Sequence, residues 1–294
     1  MSSTLPRLPE ARLSPLRRAY GAAATERRRQ LLIGAIALGA AVIASGVVAE
    51  VDLARMWANI HRMPEYIDRI FRLDDGRRVW MDVGDWMWGA GYWATLMGET
   101  VLIAYLGTLT GAIGGLALCF AASANLSPSP LARGCARRCL EFCRTVPELV
   151  FALIFVQAFG LGPLPGVLAI AIHTIGALGK LFAEAVENID MGPVEGISSC
   201  GASRYQAIRY AVMPQVASNL ASYALLRFEI NVRGAAVMGF VGAGGIGQDL
   251  IEAIRKFYYP DVSAMLVLIV LSVTVIDIAT ERLRHALLGW EQHR

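Results

Sequence analysis

A run of glycines near residue 245 is the first feature whose residue types suggest chemistry. Residues 241–247 read V-G-A-G-G-I-G and fit the dinucleotide-binding pattern G-x-G-x-x-G when Gly242, Gly244 and Gly247 are its glycines. That chemistry requires the glycines to lie between a strand and a helix, with an acidic residue ~20 positions further on. A long apolar stretch precedes them instead. We interpret Gly242, Gly244, Gly245 and Gly247 as a turn that ends a helix and permits close packing, with a gate or hinge as the functional alternative.

Charged residues in the apolar stretch before this turn form a second candidate site. Arg227, Glu229 and Arg233 carry the only charges within residues 216–240. If the segment crosses a bilayer, each charge costs roughly 2.5–3.5 kcal/mol and needs water or a partner. Glu229 and Arg233 are four residues apart and can form a structural ion pair on one helical face. The functional alternative is an anion path, in which Arg227 or Arg233 attracts the anion and Asn231 adds a neutral hydrogen-bonding group.

Other residues of chemical interest are interpreted as structural. Cys135, Cys139 and Cys143 recur every fourth residue on one helical face, whereas structural zinc usually takes C-x2-4-C pairs from two separated segments. We expect small buried hydrophobic side chains there and no metal. His173 and Asp277 also lie in apolar runs, but a single polar residue in such a run is more often a hydrogen-bonded packing residue. We assign neither to a site.

The composition places these residues in a membrane protein. Of 294 residues, 55% are hydrophobic and only 17% are charged, with a mean hydropathy of +0.49. This leaves too little charge for the surface of a soluble protein of this length. Apolar runs near the ~20 residues that cross a bilayer recur along the chain. We predict an all-α, polytopic membrane helix bundle of about six spans, at residues 31–49, 100–125, 149–179 (a hairpin of two spans), 216–240 and 262–280.

The predicted hairpin turns at the sequence G-L-G-P-L-P-G, residues 160–166, where a helix cannot continue. Its first arm is expected to begin near Arg138. Glu141, Arg144 and Glu148 then fall on one stripe of that helix, and we expect this stripe to face protein or water rather than lipid.

The first span has an alternative interpretation as an export signal. Arg28 and Arg29 precede the apolar run at 31–49, and the sequence V-V-A at 47–49 suits a cleavage site. The spans that follow favour an uncleaved anchor.

Basic residues set the orientation of the spans. The predicted inner segments, which include both chain ends, hold 17 Lys and Arg residues, against 8 in the outer segments 50–92 and 244–261. We therefore predict a multi-pass protein of the cytoplasmic (inner) membrane with both termini in the cytoplasm. The predicted order is a basic tail at 1–30, a first transmembrane helix at 31–49, a periplasmic segment at 50–92, a membrane core at 93–280 with a cytoplasmic loop at 183–214, and a tail at 281–294.

The polar loop at residues 183–214 carries several helix signals. A Gly-Pro pair opens a short helix, because proline is best tolerated at a first helical position. Gly201 breaks that helix. Ser203 and Gln206, three residues later, form a capping box that opens another helix, which we expect to stop at Pro214. The loop is thus predicted to be a helix, a tight turn and a second helix.

A helix-turn-helix can also bind DNA. Here the unit is tethered between two spans and carries only Arg204 and Arg209, which are too few cations for a phosphate footprint. We expect a protein partner in the cytoplasm and no nucleic acid.

The loop resembles the E-A-A-x3-G-x9-I-x-L-P coupling loop of bacterial ABC importer permeases. Residues 195–197 read E-G-I, Gly201 follows at the family's spacing, and residues 211–214 read A-V-M-P. The glutamate, glycine and proline agree, whereas Gly-Ile replaces Ala-Ala and alanine replaces isoleucine. More narrowly, the chain from about residue 95 is similar to phosphonate-importer permeases, through R-T-V-P-E-L at 144–149, G-K-L-F-A-E-A-V-E at 179–187, G-A-S-R-Y-Q at 201–206, E-I-N-V-R-G-A-A-V at 229–237 and the glycine run.

The resemblance implies a permease subunit that moves phosphonate, or a related phosphorus oxyanion, inward across the membrane. It implies a second permease copy in a homodimer, two cytoplasmic ABC ATPase subunits that dock on the loop, and a periplasmic or lipid-anchored substrate-binding protein. The ATPase-coupling residues implied by the resemblance are Glu195, Gly196, Gly201, Ala202, Ser203 and Pro214.

The chain lacks a G-x-x-x-x-G-K-[ST] phosphate-binding loop. We therefore expect it to be no enzyme and to bind no cofactor, with MgATP held by the partner ATPase. The alternatives are an ABC importer permease for another small solute, a membrane oxidoreductase that uses the glycine run, and a structural membrane scaffold.

Overall fold

The computed structural model describes residues 10–289, and the only strand-like pairing in that range is an isolated bridge between Arg72 and Arg78. The predicted all-α fold is confirmed. Residues 1–9 and 290–294, which belong to the two predicted tails, lie outside the described range. In chain order the helices are α1 (Glu10–Val48), α2 (Leu53–Asn59), α3 (Arg62–Ile70), α4 (Val83–Trp86), α5 (Ala90–Ala122), α6 (Pro130–Thr145), α7 (Glu148–Phe159), α8 (Pro163–Glu187), α9 (Gly192–Ser199), α10 (Arg204–Ala207), α11 (Met213–Met238), α12 (Ile246–Lys256) and α13 (Tyr259–Gly289).

The chain divides into two compact units, one up to Glu65 and one from Tyr66 onward. The first unit contains α1 and α2. Within α1, Ala19–Val48 is a run of 30 residues long and apolar enough to cross a membrane. α2 begins after Asp52, whose carboxylate accepts a hydrogen bond from the backbone N–H of Arg55 at 2.8 Å. The first predicted span thus coincides with the second half of α1.

Long apolar helices also form the second unit. α5, α8 and α13 are each long and apolar enough to cross a membrane, which makes four such helices with α1 among the described residues. The helical stretch from Arg204 to Val241 meets α12 at a bend of 48° and gives a fifth span if the pair is counted as one. These helices correspond to five of the six predicted spans.

The remaining predicted span, the first arm of the 149–179 hairpin, is not one continuous helix from near Arg138, and its apolar part is shorter than the other spans. α6 ends at Thr145, and Val146 has an extended backbone (φ −73°, ψ 124°) because the residue before a proline is driven out of the helical region. The helix that restarts after Pro147 has only 12 residues. At 1.5 Å per residue it covers about 18 Å, against the ~30 Å of a hydrocarbon core. The helix expected to begin near Arg138 is therefore two helices, α6 and α7.

The apolar face of α6 is narrow and packs against α8. Ala136 and Leu140 are the buried residues on it. Cys135 and Cys139 are exposed and Cys143 is half-buried. The expectation that these three thiols are buried is therefore wrong, because the stripe that faces the protein lies one position further along the helix.

Small residues bring α5 and α8 into close backbone contact. Gly111 of α5 lies so near α8 that an added Cβ atom would stand 2.5 Å from the Cβ of Thr174 and 2.9 Å from the carbonyl oxygen of Ala171. One turn later, a Cβ at Gly115 would stand 2.9 Å from the backbone nitrogen of Gly179. Glycines four residues apart are how membrane helices approach closely and gain dispersion contacts without a hydrophobic driving force.

Before α5, two tryptophans tie the chain to the start of α13. The indole N–H of Trp86 donates to the hydroxyl of Ser263 at 2.9 Å, and that of Trp88 donates to the carboxylate of Asp261 at 3.0 Å. Trp86 is half-buried while Trp88 is exposed. These bonds fix the entry to α5 relative to α13.

The α5–α8 contact predicts opposite effects for two glycines on one helix. Gly111→Ala should lower the thermal midpoint of the purified protein by several degrees, since overpacking costs about 1–3 kcal/mol and each kcal/mol shifts the midpoint by roughly 2–4 °C. Gly98→Ala is the matched control, because nothing lies within 4 Å of its added Cβ and alanine favours helix. Thermal melts in detergent compare the two; equal midpoints would contradict the close packing.

Candidate functional site

The predicted coupling loop folds as a helix, a tight turn and a helix. α9 is followed by Gly201, whose φ of +83° is in the left-handed region that favours glycine. The capping box at the start of α10 is confirmed: the backbone N–H of Gln206 donates to the Ser203 hydroxyl at 3.4 Å, and the Gln206 amide oxygen accepts from the Ser203 N–H at 2.7 Å. We call residues 192–207 the elbow.

The helix that leaves the elbow does not stop at Pro214, and this part of the prediction is wrong. The chain continues from α10 through a π-helical turn, Ile208–Val212, directly into α11, with Pro214 in the first turn of α11. Proline lacks an N–H and is tolerated where no intrahelical bond is required of it. The local change to π geometry immediately before it lets the helical path continue.

One face of the elbow is exposed and the other is buried. Glu195, Gly196, Gly201 and Ser203 are exposed and Ala202 is half-buried. The buried members are Val194 of α9 and Ala207 of α10, which pack into the hydrophobic cluster formed by the ends of α5, α6, α8 and α11. The elbow is therefore anchored through its buried residues, which hold its exposed face in place.

Two side chains that sequence reasoning missed hold the elbow and the start of α11 in place. The guanidinium of Arg204 donates to the backbone carbonyls of Leu126 and, at 3.5 Å, Phe120 near the end of α5. Gln215 accepts from the backbone N–H of Asp190 at 3.0 Å and donates to its carbonyl at 3.1 Å. No local pattern identifies these bonds, because their partners lie 25 to 84 residues away in the chain.

Arg227 is the centre of a charge cluster between three helices. Its guanidinium contacts the imidazole of His173 on α8 and lies 3.8 Å from the carboxylate of Glu148 on α7. The imidazole lies 3.7 Å from the same carboxylate. The side chains of Arg227, His173 and Glu148 are only 13%, 20% and 26% exposed. The interpretation of His173 as an isolated packing residue overlooked these two partners.

A second ion pair lies one to two turns further along α11. Arg233 contacts Glu229, as predicted from their spacing, and also Asp277 of α13, with 3.0 and 3.1 Å to its two carboxylate oxygens. The Arg233 side chain is 48% exposed, so this pair lies at the edge of the described helices rather than between them. Asp277, which sequence reasoning assigned to packing, is thus an ion-pair partner that links α13 to α11.

Asn231 lies between these charge clusters but is fully buried. Its amide donates to the hydroxyls of Thr108 on α5 and Thr174 on α8, at 2.8 and 2.9 Å. Its amide oxygen has no partner. In this conformation Asn231 therefore cross-links three helices and does not line an open surface.

The glycine run is a packed break between α11 and α12. Gly242, Gly244 and Gly245 all have positive φ, and the Thr100 hydroxyl of α5 accepts a hydrogen bond from the backbone N–H of Ile246 at 2.9 Å. A Cβ at Gly247 would lie 1.9 Å from the carbonyl oxygen of Ala236. Protein backbone thus packs directly against the run, and no strand precedes it among residues 10–241. The turn therefore fits close packing and not dinucleotide binding.

Comparisons with known proteins agree with this architecture. A family model described as "Binding-protein-dependent transport system inner membrane component" matches residues 114–288, which include the elbow, the charge clusters and the glycine turn. The phosphite transport system permease protein PtxC of Stutzerimonas stutzeri is 43% identical over 190 residues, which cover 64% of this chain and 69% of that protein.

A second relative is the phosphate-import permease protein PhnE of Mycolicibacterium smegmatis, 40% identical over 217 residues. The match covers 74% of this chain and 38% of that protein. Among solved structures, the inward-facing MetNI methionine ABC transporter aligns with a TM-score of 0.56 at 19% identity, over 66% of this chain and 95% of the matched chain. That likeness supports the all-α permease fold. The chain therefore belongs to the family of binding-protein-dependent transport system inner membrane components, and it is a non-enzymatic permease subunit of an ABC importer in the inner membrane.

Proposed function

We propose that the chain moves phosphonate, or a related small phosphorus oxyanion, inward across the membrane. The observation that carries the proposal is the guanidinium of Arg227, held 13% exposed among membrane helices with a single carboxylate near it. A buried cation is costly and is rarely retained without a function. The motifs similar to phosphonate-importer permeases, and relatives named for phosphite and phosphate, indicate which anion it serves.

Glu148 has a defined part in this proposal. At rest its carboxylate balances the charge of Arg227, so that the cluster is not left as an unpaired cation in a low-dielectric interior. During transport the oxyanion makes the same kind of charge-assisted contact with the guanidinium of Arg227 and temporarily replaces the Glu148 carboxylate. The exchange keeps substrate binding weak, as conduction through a membrane requires.

The other predicted path residues take lesser parts in the proposal. Arg233 and Glu229 form a half-exposed pair that attracts the anion toward α11, while Asn231 holds α11 to α5 and α8. The amide oxygen of Asn231 is buried without a partner among the described residues, and we propose that it gains one if α11 shifts during transport.

We propose that the exposed face of the elbow is the docking surface for an ABC ATPase. Glu195, Gly196, Gly201, Ala202 and Ser203 lie on it, while Pro214 acts at the start of α11. The proposed assembly has two copies of this permease, two ATPase subunits that bind MgATP, and a periplasmic or lipid-anchored binding protein. Both termini are proposed to be cytoplasmic, with the glycine turn, Gly242 to Gly247, at the outer end as a gate.

Uptake by the complete transporter tests the substrate. Proteoliposomes with the permease, its ATPase and its binding protein should accumulate radiolabelled phosphite or methylphosphonate only with MgATP inside and binding protein outside. Sulfate and methionine are the comparison solutes. Uptake of another solute with no phosphorus oxyanion transport would contradict the proposed substrate while leaving the permease assignment intact.

Gly201→Asp tests the docking surface. The new side chain would sit at a positive-φ turn and place a carboxylate on the exposed face of the elbow, so uptake should fall roughly tenfold or more, with normal membrane abundance. Gly196→Ala is the matched control on the same surface, since alanine is the residue that the E-A-A pattern has at this position and nothing lies within 4 Å of its added Cβ. Uptake and copurification of the ATPase are measured together. Normal uptake by Gly201→Asp at normal abundance would remove the elbow from the coupling role.

Replacing both charges of the Arg227 pair separates transport from stability. Arg227→Gln alone leaves Glu148 with only the imidazole of His173 beside it and should destabilise the protein by about 3–5 kcal/mol. Adding Glu148→Gln removes the second charge and should restore the thermal midpoint. Uptake by the double variant should nevertheless stay low, because the buried cation proposed to bind the anion is gone. Recovery of uptake together with stability would identify the pair as purely structural.

A further inference from the structure

A cavity of about 280 Å³ opens between α6 and α8. It is smaller than the roughly 300–1,000 Å³ of pockets for drug-sized ligands, so its size suits a small ion. The charged residues that line it are Arg137, Glu141, Arg144, Lys180, Glu184 and Glu187. The cavity lies beside the inner ends of these helices in the proposed orientation.

Every carboxylate of this cavity already has a cation. Glu187 pairs with Arg137 at 2.6 Å, Glu184 with Lys180 at 3.5 Å, and Glu141 with Arg138 just outside the cavity. Arg144 is the lining cation that has no acidic partner among residues 10–289. The lining side chains carry three positive and three negative charges, and Arg138 adds a cation beside them, so the guanidinium of Arg144 is the one left without a paired carboxylate among the described residues.

Lys180 can add to this charge. Its pair with Glu184 is long, and both side chains are about half exposed. An exposed pair of this kind contributes only about 0–1 kcal/mol, so the ammonium can turn to an anion at little cost. Arg144 on α6 and Lys180 on α8 can then both contact the same anion.

The cavity lies close to the Arg227 cluster. His173, which contacts Arg227, and Gly176 lie about one turn apart on α8. Gly176 lies so close to α6 that an added Cβ would stand 2.6 Å from the backbone nitrogen of Arg144. The backbone of Arg144 therefore packs against α8 one turn from the residue that contacts Arg227. In the motif R-T-V-P-E-L, Arg144 is the first residue and Glu148 is the fifth.

We propose that the α6–α8 cavity is a second oxyanion site, at which Arg144, assisted by Lys180, receives a small phosphorus oxyanion after it leaves Arg227. The place of this site on the transport path rests on the proposed function, but its affinity for the anion does not. The site is weak, because the anion must leave it for the cytoplasm. Glu141, Glu184 and Glu187 limit its net charge and so favour release.

Arginine footprinting tests the site without transport. The permease–ATPase complex in phosphatidylcholine nanodiscs is treated with phenylglyoxal, and modification of each arginine is followed by mass spectrometry. Methylphosphonate at twice its Kd should slow modification of Arg144 about threefold. Arg138 is the internal control, because its side chain is 83% exposed and lies outside the cavity.

A parallel set of nanodiscs with phosphatidylglycerol distinguishes a lipid phosphate from the free ion. Protection of Arg144 by free methylphosphonate in the absence of anionic lipid supports the proposal. Protection only by phosphatidylglycerol, equal protection of Arg138, or no protection of either arginine would overturn it.

Transport kinetics provide a second test of the site. Arg144→Gln should lower the maximal rate of phosphite or methylphosphonate uptake several-fold and leave its KM unchanged, because loading from the binding protein occurs on the other side. Arg144→Lys should retain most of the rate, and Arg133→Gln, at an arginine of α6 that does not line the cavity, should match the wild type. If the wild type transports the anion and Arg144→Gln transports it as fast as Arg133→Gln, the second site is refuted while the proposed function stands. If the wild type takes up no phosphorus oxyanion while Arg144 is still protected in the footprint, the site stands and the proposed function fails.

Discussion

The close approach of α5 and α8 is the constraint on which the rest of the second unit depends. Because Gly111 and Gly115 have no side chains, the two backbones meet and bring the hydroxyls of Thr108 and Thr174 within reach of one amide, that of Asn231. α11 is thereby fixed against both helices. Hydrogen bonds between membrane helices are individually modest, about 0.6 kcal/mol on average. The hydrogen bonds of Asn231 matter here because they fix the position of α11, and with it the direction in which the charged side chains of α11 point.

The charges of α11 are arranged so that each cation has a resident counter-charge. Arg227 faces Glu148 from α7, and Arg233 faces Glu229 and Asp277. The two pairs differ in burial, however, because the side chain of Arg227 is 13% exposed and that of Arg233 is 48% exposed. The second pair lies at the edge of the described helices, whereas the first lies between α7, α8 and α11, where charges are poorly hydrated and interact more strongly. The difference assigns the stronger electrostatic role to Arg227, although both residues look alike in the sequence.

Local signals in the sequence were sufficient for the elbow and for most of the spans. The capping box at Ser203 and the positive φ at Gly201 are decided within a few residues, so their patterns predict them well. Pro214 was misjudged because a preceding π turn lets the helix pass it. The long-range partners of Arg227 and Arg233 could not be predicted, because His173 and Asp277 are 54 and 44 residues away and only tertiary packing brings them together. Pro147 was available as a break signal and was outweighed by the apolar run after it.

α5 connects the two regions that the resemblance singles out. At its C-terminal end, carbonyls near the helix terminus accept hydrogen bonds from Arg204 of the elbow, a position where a cation also complements the helix dipole. In its N-terminal half, Thr100 accepts the hydrogen bond that closes the glycine turn. Thr100 and Phe120 are twenty residues apart, about 30 Å along the helix, close to the thickness of the hydrocarbon core. The elbow and the glycine turn are therefore hydrogen-bonded to the same continuous helix, at positions about one bilayer core apart.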